Sequence, residues 1–353
     1  GLVRPPEADG DPPARALDVI DDAMFVNLPA SVDRDPVAKN TSLVSAMLAE
    51  DADDAVPEHL QELDAFEEYL LDHDKAKKKR PDEYFDHVCE ITRTRRDFAA
   101  EAFDTYDPQF GFVLFSTPDW AGHLLSNFSD HETRAGYYQQ LLEVVDECTA
   151  DIAEMADNVV LMSDHGFERK HTNIHINDYL RDAGYLREES NDLSAANLAV
   201  ELGKAVGKRS DRLYELMRRV YNYIIATDVG QNLQAAAEPE IDYPGSAAWQ
   251  IRYGCLYVND ERFDHPTVDD PDGLRRQLRD ELATLTDDEG DPLFRDVLLP
   301  EEAYEDPSEW APDVIARPAL GCYPTMLESP TGGYVSETNN YNHRYRGLFG
   351  AEG

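Results

Sequence analysis

Two pairs of residues in this chain could bind a metal ion. The first is Asp119 and His123, four apart within FSTPDWAGH, Phe115–His123. If the segment after Pro118 opens a helical turn, both side chains share one face, within reach of one ion. Pro118 suits that start, because its missing N–H is not needed there. The second pair is Asp164 and His165, adjacent within NVVLMSDHGF, Asn158–Phe167. A polar turn closed by Gly166 accounts for this stretch equally well. His343 lies in NHRYRGLFG; a histidine in an Asn- and Gly-rich loop is more often solvated than liganding. His171 and His175 are also four apart. They read better as a solvated loop, or as a histidine capping the helix that opens at Ile176.

The elements around these pairs suggest how they meet. Val159–Met162 is a short apolar run with β-branched residues, which predicts a strand buried on both faces. Phe112–Phe115 predicts a second strand. Between them Thr133–Met155 reads as a helix, with Tyr137, Leu141, Leu142, Val145, Ile152 and Met155 near helical spacing. Strand, helix, strand predicts a right-handed parallel crossover. Both pairs would then lie at the carboxyl edge of one sheet, where open α/β folds bind ligands. Elsewhere the pattern predicts a strand at Ala23–Leu28 and helices at Leu60–Leu70, Pro81–Ala102, Asn177–Leu186 and Asp270–Leu285. Ala248–Asn259, Asp296–Leu299 and Val314–Ala316 read as β. Ser329–Phe349 reads as loop. Residues 190–245 read as a helical insertion or cap. The class is α/β, a mostly parallel central sheet flanked by helices.

Composition excludes some partners. The 353 residues carry 32 basic against 72 acidic side chains, a net charge of −40. Nucleic acid and anionic membranes require basic surfaces. Lys75–Arg80, KAKKKR, is a local exception and reads as a solvated helix face. A hydrophobic content of 42% and an aromatic content of 10% argue against disorder. The acidity instead fits a halophilic protein whose surface charge is screened by concentrated salt. Four cysteines without CxxC spacing read as thiols in a reducing, cytoplasmic compartment. No apolar run approaches the roughly 20 residues of a membrane helix. No signal peptide is visible, although a chain that opens on Gly1 leaves one upstream open. Neither a Gly-rich phosphate loop nor a GxSxG elbow occurs.

The stretches FSTPDWAGH, VVLMSDHGF (Val159–Phe167) and NHRYRGLF (Asn342–Phe349) resemble motifs of the alkaline phosphatase superfamily, in its type I phosphodiesterase/nucleotide pyrophosphatase branch. INDYLRDAGYL (Ile176–Leu186), GCLYVN (Gly254–Asn259) and APDVIA (Ala311–Ala316) are softer matches in the same order. The likeness is greatest to a prokaryotic group of predicted phosphohydrolases/phosphomutases, here of haloarchaeal type. The resemblance implies one alkaline phosphatase-like domain over residues 1–353. It implies two divalent ions, typically zinc with manganese as the alternative. Asp119, His123 and His343 would bind one ion, and Asp164 and His165 would supply two ligands of the other. The implied activity is hydrolysis of a small-molecule phosphate ester through a phosphorylated Thr or Ser. That nucleophile, and one further metal-binding Asp, belong to an N-terminal segment that is not found here. Thr41 and Ser42 do not match its motif, and the chain stops soon after His343. The expectation is an internal fragment lacking its N- and C-terminal segments, inactive alone. The alternatives are a pseudoenzyme that binds metal and phosphorylated ligands, or a sulfatase- or phosphoglycerate mutase-like member of the superfamily.

Halophilic folding has a direct consequence. Far-UV circular dichroism is expected to fall as salt is dialysed away; an unchanged spectrum in dilute buffer contradicts it.

Overall fold

The computed structural model describes residues 20, 22–29, 42–46, 51–125, 130–188, 241–329, 332–344 and 346–352. These residues fall into two compact units, one within Glu7–Glu168 and Asn340–Gly353, the other within Arg169–Asn339. The first unit contains β1 (Ala23–Pro29), β2 (Ser42–Ala46), α1 (Pro81–Tyr106), β3 (Phe110–Val113), α2 (Thr117–Leu124), α3 (His131–Ala153) and β4 (Val159–Met162). Strand β5 (Gly166–Ile174) carries the chain into the second unit, which holds α4 (Ile176–Asp182), β6 (Ala248–Gln250), β7 (Cys255–Val258), α5 (Pro271–Leu282), β8 (Phe294–Leu298), β9 (Val314–Pro318) and β10 (Cys322–Pro324). Strand β11 (Val335–Arg344) brings it back, and β12 (Phe349–Glu352) follows in the first unit. The architecture is α/β, as the pattern predicts. The helical stretch of the 190–245 insertion lies outside the described residues.

In the first unit β1 is the central strand of a parallel sheet ordered β2-β1-β3. Its side chains alternate between two apolar layers. Met24 and Val26 pack with Val44, Leu60, Tyr69, Phe98, Ala99 and Ala102. Ala23 and Phe25 pack with Leu43, Phe110 and Phe112. Helix α1 opens with Pro81 in its first turn and ends in a left-handed Asp107 at φ 46°, ahead of Pro108, which cannot continue a helix. Its C-terminal half covers β1. Its N-terminal half packs Tyr84, Phe85, Val88 and Cys89 against Leu141, Val144 and Cys148 of α3 and Ala121 and Leu124 of α2. One 26-residue helix thus ties the sheet to both helices that follow β3.

The second unit has its own core around Ile174, Leu180, Trp249, Leu256, Leu278 and Val314. Strands β6-β7-β9-β8 form an antiparallel sheet, and β10 runs parallel to β5. Arg262 bridges Asp260 and Asp313 there. Burial pushes the Asp313 carboxyl up, although Arg262 pulls it down.

Several expectations need correction. Strands β3 and β4 do not share a sheet: β3 pairs with β1, and β4 pairs antiparallel with β12. Hydrophobic period identifies a strand but says nothing of its partner. Nor is β4 buried on both faces, since Val160 and Met162 are 64% and 65% exposed. Leu60–Leu70 forms two 3-10 turns, Glu58–Leu60 and Asp64–Glu68, and no α-helix; Leu60 and Leu63 are buried all the same. Residues 168–174 and 335–344 are strands where loops were expected, because ladder hydrogen bonds come from the backbone and need few apolar side chains.

The α1–α3 contact should show in stability. Leu141→Ala, at a residue 0% exposed, is expected to cost about 2–5 kcal/mol in urea unfolding. Leu142→Ala, next in sequence but 44% exposed, should change stability by less than about 0.5 kcal/mol.

Candidate metal centre

Helix α2 forms as the spacing requires. Pro118 lies in its first turn, and Asp119 and His123 fall on one face with His123 Nε2 3.4 Å from Asp119 Oδ1. Gly122, between them, leaves room for the ring of Phe167: a Cβ there would lie 2.9 Å from two ring atoms. Phe167 in turn stands edge-on to His123, with ring centroids 5.0 Å apart.

His343 reaches this face from the end of β11. Its Nε2 is 2.8 Å from Asp119 Oδ1 and 3.1 Å from His123 Nε2. Tyr341, two residues earlier, accepts a 2.7 Å hydrogen bond from Arg134 of α3, whose guanidinium lies over the same ring. This contact fixes the end of β11. It was not legible in the sequence, because its partners are 207 positions apart and neither belongs to a motif.

Asp164 and His165 lie in the turn between β4 and β5. His165 Nε2 is 3.6 Å from Asp164 Oδ2 and 3.9 Å from Asp119 Oδ1. Its Nδ1 lies 3.0 Å from the Gly166 carbonyl oxygen, so Nδ1 carries the proton and Nε2 presents its lone pair. The His165 ring stacks on His343, centroids 3.6 Å apart and planes 16° from parallel. A ligand lone pair lies in the ring plane, so stacked rings do not converge on one ion. Asp164 projects outward, its side chain 88% exposed. Gly166 is required by close approach, since a Cβ there would sit 2.0 Å from the Arg346 carbonyl oxygen. His171 and His175 do not pair on a helix: His171 is on β5, and His175 precedes α4, bound to Leu327 O and Ser336 Oγ.

Asp119, His123 and His343 offer ligand atoms that all lie within 4.8 Å of one another. Two donors of a tetrahedral zinc, each about 2.0–2.1 Å from it, stand about 3.3 Å apart. The observed separations of 2.8, 3.1 and 3.4 Å bracket that value. The donor set fits a divalent ion, and the side chains, 30–40% exposed, leave a coordination position open. Among the described residues no other group of three such side chains converges.

The charges are tuned to each other. Burial pushes the Asp119 carboxyl up, but His123 and His343 outweigh it and hold the group below the ordinary carboxylate value. Burial, with His165 alongside, holds His343 below the ordinary imidazole value against the pull of Asp119.

The model of the type I phosphodiesterase/nucleotide pyrophosphatase family matches residues 47–345. The chain belongs to that family. The match encloses all five candidate ligands. No curated protein matches the chain. A solved structure similar to it is a phosphonoacetate hydrolase from Sinorhizobium meliloti 1021 in complex with phosphonoformate, 12% identical, with a TM-score of 0.37. The alignment covers 74% of this chain, which spans half the length of that one. No helix among the described residues of this phosphodiesterase-family chain is long and apolar enough to cross a membrane.

Protons compete with an ion for this triad. Burial and the neighbouring His165 hold the His343 imidazole below its ordinary value, so protons compete for its nitrogen at lower pH than for a free imidazole. Zinc affinity, followed by isothermal titration calorimetry, is expected to fall only on the acid side of the ordinary imidazole range. A fall already complete at pH 7 contradicts this.

Proposed function

We propose that the chain is a metal-dependent phosphoric ester hydrolase acting on small phosphodiester or nucleotide-type substrates. The observation that carries the reading is the convergence of Asp119, His123 and His343 within a chain of the phosphodiesterase family. These three side chains would hold one divalent ion, with zinc favoured over manganese by two imidazoles and one carboxylate. Asp164 and His165 would supply one side of a second ion. A bound cation supplies Lewis-acid polarisation of a phosphoryl oxygen.

The chain's own residues orient and exclude. Phe167 walls the site beside His123 and His343. His165 keeps its Nε2 toward the open side by donating from Nδ1. Asp164, exposed beside it, can turn toward substrate-bound cation or solvent. Ser42 is not assigned as nucleophile. It pairs with Met24 at the start of the parallel strands, the edge opposite Asp119, and contacts His59 there. The net charge of −40 supports a high-salt setting, and four free cysteines support a reducing, cytoplasmic one.

A non-catalytic metal- and phosphate-binding role is the second reading. It is favoured by the lack, among the described residues, of a third donor converging with Asp164 and His165. Elemental analysis and assay of bis(p-nitrophenyl) phosphate with added zinc separate the two. The hydrolase reading expects bound metal, lost in an Asp119→Ala, His123→Ala double variant. It expects turnover once a segment carrying the Thr or Ser nucleophile is joined to the chain; turnover by the present chain contradicts the expectation of a missing nucleophile. Bound metal without turnover even when that segment is present supports the binding role, and equal metal content in both proteins removes the site altogether.

A further inference from the structure

Helix α1 carries a charge for which the metal site gives no account. Arg95 is 1% exposed. Among the described residues it makes no ion pair; Asp72 acts on it from a distance. Its Nη1 donates to Ser116 Oγ at 2.7 Å, its Nη2 donates to the Leu71 carbonyl at 2.6 Å, and its Nε has no partner. The guanidinium lies 5.0 Å from the centre of the Trp120 ring, a cation–π contact. His73 stands edge-on to the same indole at 4.4 Å. One turn back on α1, Thr92 Oγ1 donates to the Val88 carbonyl at 2.8 Å and lies 2.6 Å from Thr117 Oγ1, both threonines being wholly buried.

Apart from those to the Leu71 and Val88 carbonyls, these contacts fall on one segment. Ser116 and Thr117 immediately precede Pro118-Asp119, and Trp120 immediately follows. Thr92 and Arg95 lie three apart, on one face of α1, and contact side chains on both sides of Asp119, Ser116 and Thr117 before it and Trp120 after it. A core of this kind could be filled by an apolar side chain without the cost of burying an unpaired charge. A planar fork with several donors can hold a hydroxyl and a carbonyl and still stack on an indole; an apolar chain cannot.

We propose that Arg95, seconded by Thr92, is a positioning residue that fixes Asp119 in the geometry needed to bind the metal. This rests on the metal reading of the triad. It assigns Arg95 no contact with substrate; its effect passes through Ser116 and Trp120.

The test compares unmutated protein with Arg95→Met, Arg95→Lys, Thr92→Val, His123→Ala and a core control on the same helix, Phe98→Leu. Zinc dissociation constants come from competition with a chromogenic chelator. The visible spectrum of bound Co(II) reports coordination geometry, and thermal unfolding reports stability. Arg95→Met is expected to weaken zinc binding about 10- to 100-fold and to shift the Co(II) bands. Arg95→Lys should recover part of the loss. Phe98→Leu should lower the unfolding temperature while leaving both metal readouts unchanged. An Arg95→Met protein with unaltered zinc affinity and Co(II) spectrum overturns the proposal. So does a Phe98→Leu protein that loses affinity in step with its stability. If Arg95→Met does not fold, Thr92→Val decides, weaker zinc binding supporting the grip and unchanged binding overturning it. Equal zinc binding by unmutated protein and His123→Ala overturns the metal reading, and this proposal with it.

Discussion

The Asp119 carboxylate is partly buried and stands between two imidazoles. Burial alone disfavours its charge. His123 and His343 more than compensate, so the carboxylate remains ionised and aimed at the point where the three donors meet. Removing either histidine would leave a desolvated charge short of a partner. The first unit is built to prevent that. β3 is fixed by pairing with the buried β1, α2 opens four residues after β3 ends, and α1 packs on both. The position of Asp119 is therefore set by the sheet core, while that of His343 is set by Arg134 and Tyr341.

The site's chemistry and the chain's composition oppose one another. A surface with a net charge of −40 repels anionic phosphate esters at long range. Concentrated salt reduces the reach of that repulsion to a few ångströms. Any attraction would have to come from the local field of a bound cation, for which Asp119, His123 and His343 offer donor atoms on a partly open face. The second pair, Asp164 and His165, sits beside the first without sharing its point of convergence. The parallel stack of His165 on His343 is the geometric reason.

Much of the candidate site was legible in the sequence, and the reason is local. Asp119 and His123 are one helical turn apart, and Pro118 marks the start of the turn, so the pair follows from helix geometry alone. The α1 and α3 helices, the β character of Ala248–Asn259 and the strand at Ala23 were legible for the same reason, since period and punctuation lie within each segment. His343 was not legible from its own surroundings. Read from NHRYRGLFG, it is a solvated loop histidine; only the resemblance to the family raised it to a ligand. The strand that carries it, β11, lacks an apolar alternation strong enough to predict a strand.

The sequence by itself determined the class of the fold, the family, and the candidate donors of each local pair, because these depend on spacings of a few residues or on whole motifs. Tertiary structure alone decided which donors meet. It separated β4 from β3, put His165 face to face with His343, and brought Arg95 against Ser116 and Trp120 and Thr92 against Thr117, around Asp119. Each of these depends on pairing or packing between segments tens to hundreds of residues apart. No local period encodes such a choice, which is settled by how the buried faces of β1, α1 and α3 fit together.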